Sequence, residues 1–278
     1  MRFPFAKMHG LGNDFIVFDA SGHLPDAAVL RRLADRHTGI GFDQALAVFP
    51  ARRPDTDLFY RIFNADGGEV EQCGNGARCV AAHAANRRGA PLPAELTMDS
   101  PSGIVRARVA ADGSVAVTMG VPNFAPSALP FTVPHEALRY TLGGVDGIAG
   151  TVEISAVSIG NPHAVLVVDD VTSAPVASVG AALEYDRRFP NRTNVGFMQV
   201  IDASHIRLRV HERGVGETLA CGTGACAAVA VGRRLGLLGP SVAVDLPGGR
   251  LNIEWAGDGQ PIWLTGPTET AFEGHTEL

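Results

Sequence analysis

The chain has 278 residues, enough for one large or two medium domains at the usual ~150 residues per domain, and a formal net charge of −6. Hydrophobic residues make up 46% and charged residues 19%, which excludes a disordered or membrane-embedded chain. No basic stripe is present, which argues against nucleic acid as a partner; the 33 glycines have no G-X-Y period, which excludes collagen and requires tight turns.

In chain order, residues 1–10 lack the basic patch and apolar run of a secretory signal, and the apolar run 164–168 is far too short to span a bilayer. The chain therefore reads as cytoplasmic, with no membrane partner. Gly12-Asn13 leads into an apolar run at 15–18. Gly68-Glu69-x3-Cys73-Gly74-Asn75-Gly76-Ala77 leads into residues 76–86, whose small apolar side chains on nearly every face predict a helix buried all round. Val115, Val117 and Met119 alternate as in a strand, and the Pro-rich stretch 121–134 reads as a linker. Gly160-Asn161 again precedes an apolar run. Ile206, Leu208 and Val210, interleaved with Arg207, Arg209 and His211, predict a strand with one buried face. Finally Gly216-Glu217-x3-Cys221-Gly222-Thr223-Gly224-Ala225 leads into a second predicted helix at 224–235.

These features repeat. Cys73 and Cys221 are 148 residues apart, and so are Asn13 and Asn161. A looser match pairs Gly41-Phe42-Asp43-Gln44 with Asn194-Val195-Gly196-Phe197. Two independent matches in one register predict two homologous halves. Antiparallel strands wrapped around a buried helix in each half give an α+β fold of two pseudo-symmetric halves, with an active site expected in the cleft between them.

Disulfides are not expected of the four cysteines in a reducing compartment, and the C-x5-C and C-x4-C spacings do not match a zinc knuckle. Cys79 and Cys226 fall inside the predicted helices and read as small buried hydrophobes. Cys73 and Cys221 stand at helix starts, where unpaired N–H groups and the helix dipole favour a thiolate. The Gly-x-Gly after each leaves room for a carboxylate to approach the same N–H groups. Two matched thiols suit removal of a proton from one face of a carbon and delivery to the other: racemisation or epimerisation. No dinucleotide or phosphate-loop fingerprint is present, so no cofactor and no metal are expected.

The motifs KMHGLGND (from Lys7), Gly41-Phe-Asp-Gln44, Phe63-Asn-Ala-Asp66, Cys73-Gly-Asn-Gly-Ala-Arg78, Gly160-Asn-Pro-His163, Asn194-Val-Gly-Phe197, Glu212-Arg213-Gly214 and Ala220-Cys-Gly-Thr-Gly-Ala225 closely resemble those of the diaminopimelate epimerases, in order and over essentially the whole chain. The resemblance implies interconversion of LL- and meso-2,6-diaminopimelate, on the route to lysine and peptidoglycan, by a homodimer without pyridoxal phosphate. It implies halves at 1–121 and 122–266, with 267–278 returning to the first. Carried over residue by residue, it makes Cys73 and Cys221 the proton-transfer groups. Asn64, Asn161, Asn194 and Arg213 would hold the distal end of the substrate, while Asn13, Gln44 and Glu212 would contact its ammonium or carboxylate groups. Gly74, Asn75, Gly222 and Thr223 would supply the backbone cradle, and His163 and Glu212 would tune the thiols. Thr223 stands where many members have Ser. An epimerase of proline or hydroxyproline needs no receptor for a distal carboxylate, so Arg213 with the three asparagines argues against one. A noncatalytic two-lobed binding protein needs no matched thiols.

Overall fold

A computed structural model describes residues 2–20, 22, 24–70 and 73–277. The chain forms two compact units, Met1–Thr118 with Thr265–Leu278, and Met119–Leu264. The first begins with β1 (Arg2–Gly10), β2 (Asn13–Asp19), α1 (Ala27–Ala34), β3 (Gln44–Pro50), β4 (Leu58–Asn64), β5 (Glu69–Val70), α2 (Gly74–Arg87), β6 (Ala94–Ser100), β7 (Gly103–Val109) and β8 (Val115–Thr118). There follow β9 (Tyr140–Gly143), β10 (Thr151–Ser158), β11 (Pro162–Val167), α3 (Val176–Glu184), β12 (Asn194–Asp202), β13 (His205–Glu212), β14 (Gly216–Thr218), α4 (Gly222–Arg234), β15 (Ser241–Leu246), β16 (Gly249–Trp255) and β17 (Ile262–Gly266). The last strand, β18 (Glu269–Glu277), belongs to the first unit again.

Within the first unit β1 lies antiparallel to β18 and β2, and β2 parallel to β3. β3 and β5 flank β4 antiparallel, β6 is parallel to β4, and β6, β7 and β8 continue antiparallel. The second unit repeats the scheme. β10 is antiparallel to β9 and β11, β11 parallel to β12, and β12 antiparallel to β13. β13 then pairs antiparallel with β14 and parallel with β15, which pairs antiparallel with β16. The architecture is α+β, two pseudo-symmetric halves of mostly antiparallel sheet. Register preserves the repeat: Ile62 faces Val70 as Val210 faces Thr218. One sequence pairing is corrected, because Phe15 faces Gln44 as His163 faces Asn194. Gln44, not Gly41, therefore stands where Asn194 does.

Each unit wraps its strands around the helix that follows its Cys-Gly turn. Alternation in β7 buries Val105, Ala107 and Val109, and in β16 it buries Leu251, Ile253 and Trp255, presenting one face to the helix. In α4, Gly222 and every residue from Gly224 to Gly232 are buried, as its all-round apolar sequence predicts. In α2 the same holds through Ala81, after which His83 is half-buried and Asn86 and Arg87 are exposed.

Residues 15–18 of β2 and 164–166 of β11 are buried on both faces because a second helix, absent from the sequence expectations, covers the outside of each. Leu30, Leu33 and Ala34 of α1 join Ile16, Phe18, Ala45 and Ala47 in one cluster. Val176 and Leu183 of α3 join Ala164, Leu166, Val195 and Phe197 in another. The helix α3 also changes the reading of β13, where His211 is buried rather than solvated, its Nε2 2.9 Å from Glu184 Oε2. The approach is so close that a Cβ on Gly180 would lie 2.6 Å from His211 Cβ. Gly180→Ala is therefore expected to cost about 1–3 kcal/mol of stability through overpacking, read as a lower midpoint in thermal denaturation. An unchanged midpoint would mean that α3 does not rest on His211.

Candidate active site

Cys73 and Cys221 are the N-caps of α2 and α4, each with extended backbone. Cys73 Sγ accepts the Gly76 N–H at 3.4 Å. The second glycine of each turn is dictated by packing as well as by ligand access. A Cβ on Gly76 would lie 3.0 Å from Leu46 Cδ2 of β3, and one on Gly224 would lie 2.9 Å from Val210 Cγ2 of β13. Both cysteine positions are thus fixed by a helix start pressed onto a strand.

Around Cys73 the first unit gathers amides. Asn13 Oδ1 lies 3.8 Å from Cys73 Sγ and accepts from Asn75 Nδ2 at 3.4 Å, while Gln44 Nε2 donates to Asn64 Oδ1 at 2.9 Å across the β3–β4 pair. Gln44 Oε1 and Asn75 Oδ1 are buried acceptors with no hydrogen-bond donor among the described residues. Asn13 is itself held by an ionic cluster. Its Nδ2 donates to Asp43 Oδ2 at 2.9 Å, and Asp43 shares Arg36 with Asp14, which also takes Lys7 Nζ at 2.6 Å.

The second unit surrounds Cys221 with charge. Cys221 Sγ donates to Glu212 Oε2 at 3.0 Å and lies 3.6 Å from Thr223 Oγ1, and Thr223 accepts from Asn161 Nδ2 at 3.3 Å. Asn161 Oδ1 in turn lies 3.0 Å from His163 Nε2. Asn194 donates to the Pro162 carbonyl at 2.9 Å and accepts the Arg213 N–H at 3.0 Å, while the exposed Arg213 guanidinium reaches the Asn191 carbonyl at 3.1 Å. Gly222 begins α4 directly beside the sulfur.

The two thiols are therefore not in equivalent surroundings. Burial, then the Glu212 charge and its hydrogen bond, push the Cys221 thiol well up, outweighing the pull of Thr223 and the Gly224 N–H. At Cys221 burial and the carboxylate thus outweigh the helix-start effect, which favours a thiolate. Burial, aided by the Arg213 charge, pushes His163 down to about 3, so its ring is neutral near pH 7. Cys79, inside α2, is driven up to about 12 by burial, as an inert core thiol should be.

Every residue singled out in the sequence falls into one of these two groups, six in the first unit and eight in the second: Asn13, Gln44, Asn64, Cys73, Gly74 and Asn75, then Asn161, His163, Asn194, Glu212, Arg213, Cys221, Gly222 and Thr223. Sequence reasoning passed over Asp43, Asp14 and Thr218. The first two lay inside recognised motifs, but nothing in the chain order said that they brace Asn13. Each unit offers a thiol, amide groups and the open N–H groups of a helix start. Such a set can exchange a proton with carbon beside a carboxylate while stabilising the developing charge.

The architecture has solved counterparts. A hydroxyproline epimerase from Agrobacterium vitis aligns with a TM-score of 0.72 at 16% identity, covering 99% of this chain and 92% of the other. A phenazine biosynthesis protein of the PhzF family from Bacillus anthracis aligns with a TM-score of 0.73 at 15% identity over the whole of both chains. These likenesses define the fold class. Within it, the model of the diaminopimelate epimerase family matches residues 5–125 and 155–271. The diaminopimelate epimerase of Alkalilimnicola ehrlichii is 53% identical over 281 aligned residues, the whole of both chains. The chain belongs to the diaminopimelate epimerase family.

The brace around Asn13 gives a pH-dependent expectation. Burial would raise the Asp14 carboxyl, but hydrogen bonds and charge from Arg36 and Lys7 outweigh it and hold the group well below the usual carboxylate range. A pKa depressed in the folded state adds stability that is present above the unfolded value, about 4, and is lost as pH falls below it. Asp14→Asn should lower the unfolding free energy at pH 7, with the gap from wild type narrowing below about pH 4. Denaturant titrations at both pH values check this; a gap independent of pH would contradict it.

Proposed function

We propose that this chain interconverts LL- and meso-2,6-diaminopimelate by a two-base reaction in which Cys73 and Cys221 are the proton-transfer groups. The observation that carries this reading is the equivalent standing of the two thiols, each the N-cap of a central helix, in a member of this family. In one direction the Cys73 thiolate removes the α-proton and the Cys221 thiol delivers its own proton to the opposite face. That turnover leaves Cys73 as the thiol and Cys221 as the thiolate, and from this state the reverse reaction runs with Cys221 as the base and Cys73 as the acid. The high thiol pKa at Cys221 supports its entry as the protonated partner.

The helix-start N–H groups at Gly74, Asn75, Gly222 and Thr223 would hold the α-carboxylate and stabilise the enediolate-like charge, so the scheme requires neither a cofactor nor a metal. The undonated acceptors Gln44 Oε1 and Asn75 Oδ1 suit an ammonium group, a service that Asn13 and Glu212 would share. The distal carboxylate would be read by the Arg213 guanidinium with Asn64, Asn161 and Asn194. His163, neutral and bonded to Asn161, would tune the thiols together with Glu212.

By family resemblance the reaction runs in the cytoplasm, on the route to lysine and peptidoglycan, and the enzyme is a homodimer. The exposed strand β18, paired only with β1 among the described residues and carrying a half-exposed Phe272, supports a face that a second copy could cover.

The test is steady-state epimerisation of LL-diaminopimelate by reduced enzyme, with L-proline as the control substrate. Cys73→Ala and Cys221→Ala should each abolish turnover, whereas Cys79→Ala should retain it; near wild-type turnover in either of the first two would remove the two-base scheme. Proline should not be turned over.

The Arg213 assignment makes a separate expectation. Arg213→Ala should weaken diaminopimelate binding by about 2–5 kcal/mol, as for other truncated charge pairs, seen as a raised KM, and Arg213→Lys should recover only part of it. An unchanged KM in the alanine variant would mean that the distal carboxylate is read elsewhere.

A further inference from the structure

Glu212 has two carboxylate oxygens, and each is occupied by one donor. Oε2 accepts the Cys221 thiol at 3.0 Å, and Oε1 accepts the Thr218 hydroxyl at 2.5 Å. Thr218 ends β14, antiparallel to β13, so it and Glu212 meet on one face of a two-strand ribbon just before the turn into Cys221. A carboxylate fastened at one oxygen has only one orientation left for the other. We propose that Thr218 is a positioning residue for the epimerisation, holding Glu212 so that its free oxygen stays on the Cys221 sulfur.

The internal repeat supplies a control. The residues 148 positions earlier are Val70 for Thr218 and Asn64 for Glu212, in the same β4–β5 register. Where β4 ends in an amide, Asn64, the paired strand β5 carries Val70, which has no hydroxyl; where β13 ends in a carboxylate, Glu212, the paired strand β14 carries Thr218. The swap keeps the side-chain shape and adds only the donor, so backbone pairing does not explain it. Valine at Val70 also indicates that the ribbon accepts a β-branched apolar side chain there.

Other charged and titratable groups on the surrounding elements are engaged elsewhere. Arg209 pairs with Glu217 at 2.6 Å, His211 with Glu184 at 2.9 Å, and His163 with Asn161 at 3.0 Å. The Arg213 guanidinium is turned to the Asn191 carbonyl. Among the described residues, Thr218 and Cys221 are the two donors to the Glu212 side chain. Losing the hydroxyl frees the carboxylate to rotate, so the hydrogen-bond acceptor leaves the sulfur and the charge that holds the thiol up moves away.

This inference rests on the assignment of Cys221 to proton transfer with Glu212 tuning it, and the experiment separates the two. Thr218→Val and Thr218→Ser are compared with wild type in kcat, KM and the pH profile of kcat for diaminopimelate. In parallel, the Cys221 thiol is titrated by thiolate absorbance in a Cys73→Ala background, with Cys73→Ala/Cys221→Ala subtracted. Thr218→Val should lose about tenfold to hundredfold in kcat, the effect of deleting a hydrogen bond to a charged group, with KM little changed. Its Cys221 titration should shift to lower pH, in the same direction as Glu212→Gln, and Thr218→Ser should restore both properties. A Thr218→Val titration and pH profile that superimpose on wild type, or a serine variant as impaired as the valine one, would overturn the proposal. If the wild-type enzyme does not epimerise diaminopimelate but the titration still shifts, the positioning stands and the assigned activity falls.

Discussion

In both halves a helix start is pressed closely onto a strand, at Gly76 against Leu46 and at Gly224 against Val210, so that a Cβ at either glycine would have to displace that neighbour. Much else depends on that contact. It sinks each helix into the middle of its sheet, which requires small apolar residues around the whole circumference, and it pins the preceding residue as the N-cap. A cysteine there is held beside the open N–H groups of the first turn, at a place that thermal motion of a loop does not blur. The Ala-rich helices, the Gly-x-Gly turns and the placement of the thiols are therefore one constraint expressed three ways.

On that symmetric frame the chemistry is asymmetric. The first unit places the Asn13 amide beside Cys73, and an ionic cluster of Lys7, Asp14, Arg36 and Asp43 braces Asn13 from behind. The second puts a carboxylate on the sulfur itself, with Glu212 where the first unit has Asn64. Structural duplications survive beside this divergence. Arg61 pairs with Glu69 and Arg209 with Glu217 at the same register and the same 2.6 Å, so the ribbon before each thiol is closed by the same ion pair. The repeat keeps the groups that set position and varies those that set proton affinity. For an epimerase such asymmetry is useful, because at any instant one thiol must hold a proton while the other lacks one.

Much of this was legible in the chain. The 148-residue offset and the two Cys-Gly-x-Gly turns are local patterns, and they sufficed for the two halves, the buried helices and the two thiols, while the other candidate residues come from the family resemblance. What escaped is non-local. Helix α1 is only eight residues long, though Asp26 caps it by accepting the Val29 N–H, and α3 follows Pro175 with no side-chain cap, so a short helix and an uncapped one are easily passed over. Their presence is implied only by the unbroken apolar runs they cover. His211 looked like a solvated strand residue because nothing nearby in sequence indicates that Glu184 and Gly180 lie over it. The raised Cys221 thiol is hidden from sequence for a similar reason: the helix-start effect is local, whereas burial and a carboxylate nine residues away outweigh it.

The central claim is that inversion uses two different proton-transfer groups on one α-carbon. The most direct measurement is the fate of deuterium early in the reaction, with LL-diaminopimelate and reduced enzyme in D2O, both diastereomers being recovered at a few per cent conversion and their α-positions read by NMR. Two bases predict deuterium at the inverted α-carbon of the meso product, while unconverted LL substrate remains protiated. Deuterium appearing in recovered substrate as fast as in product, or product that keeps its original α-hydrogen, would contradict it.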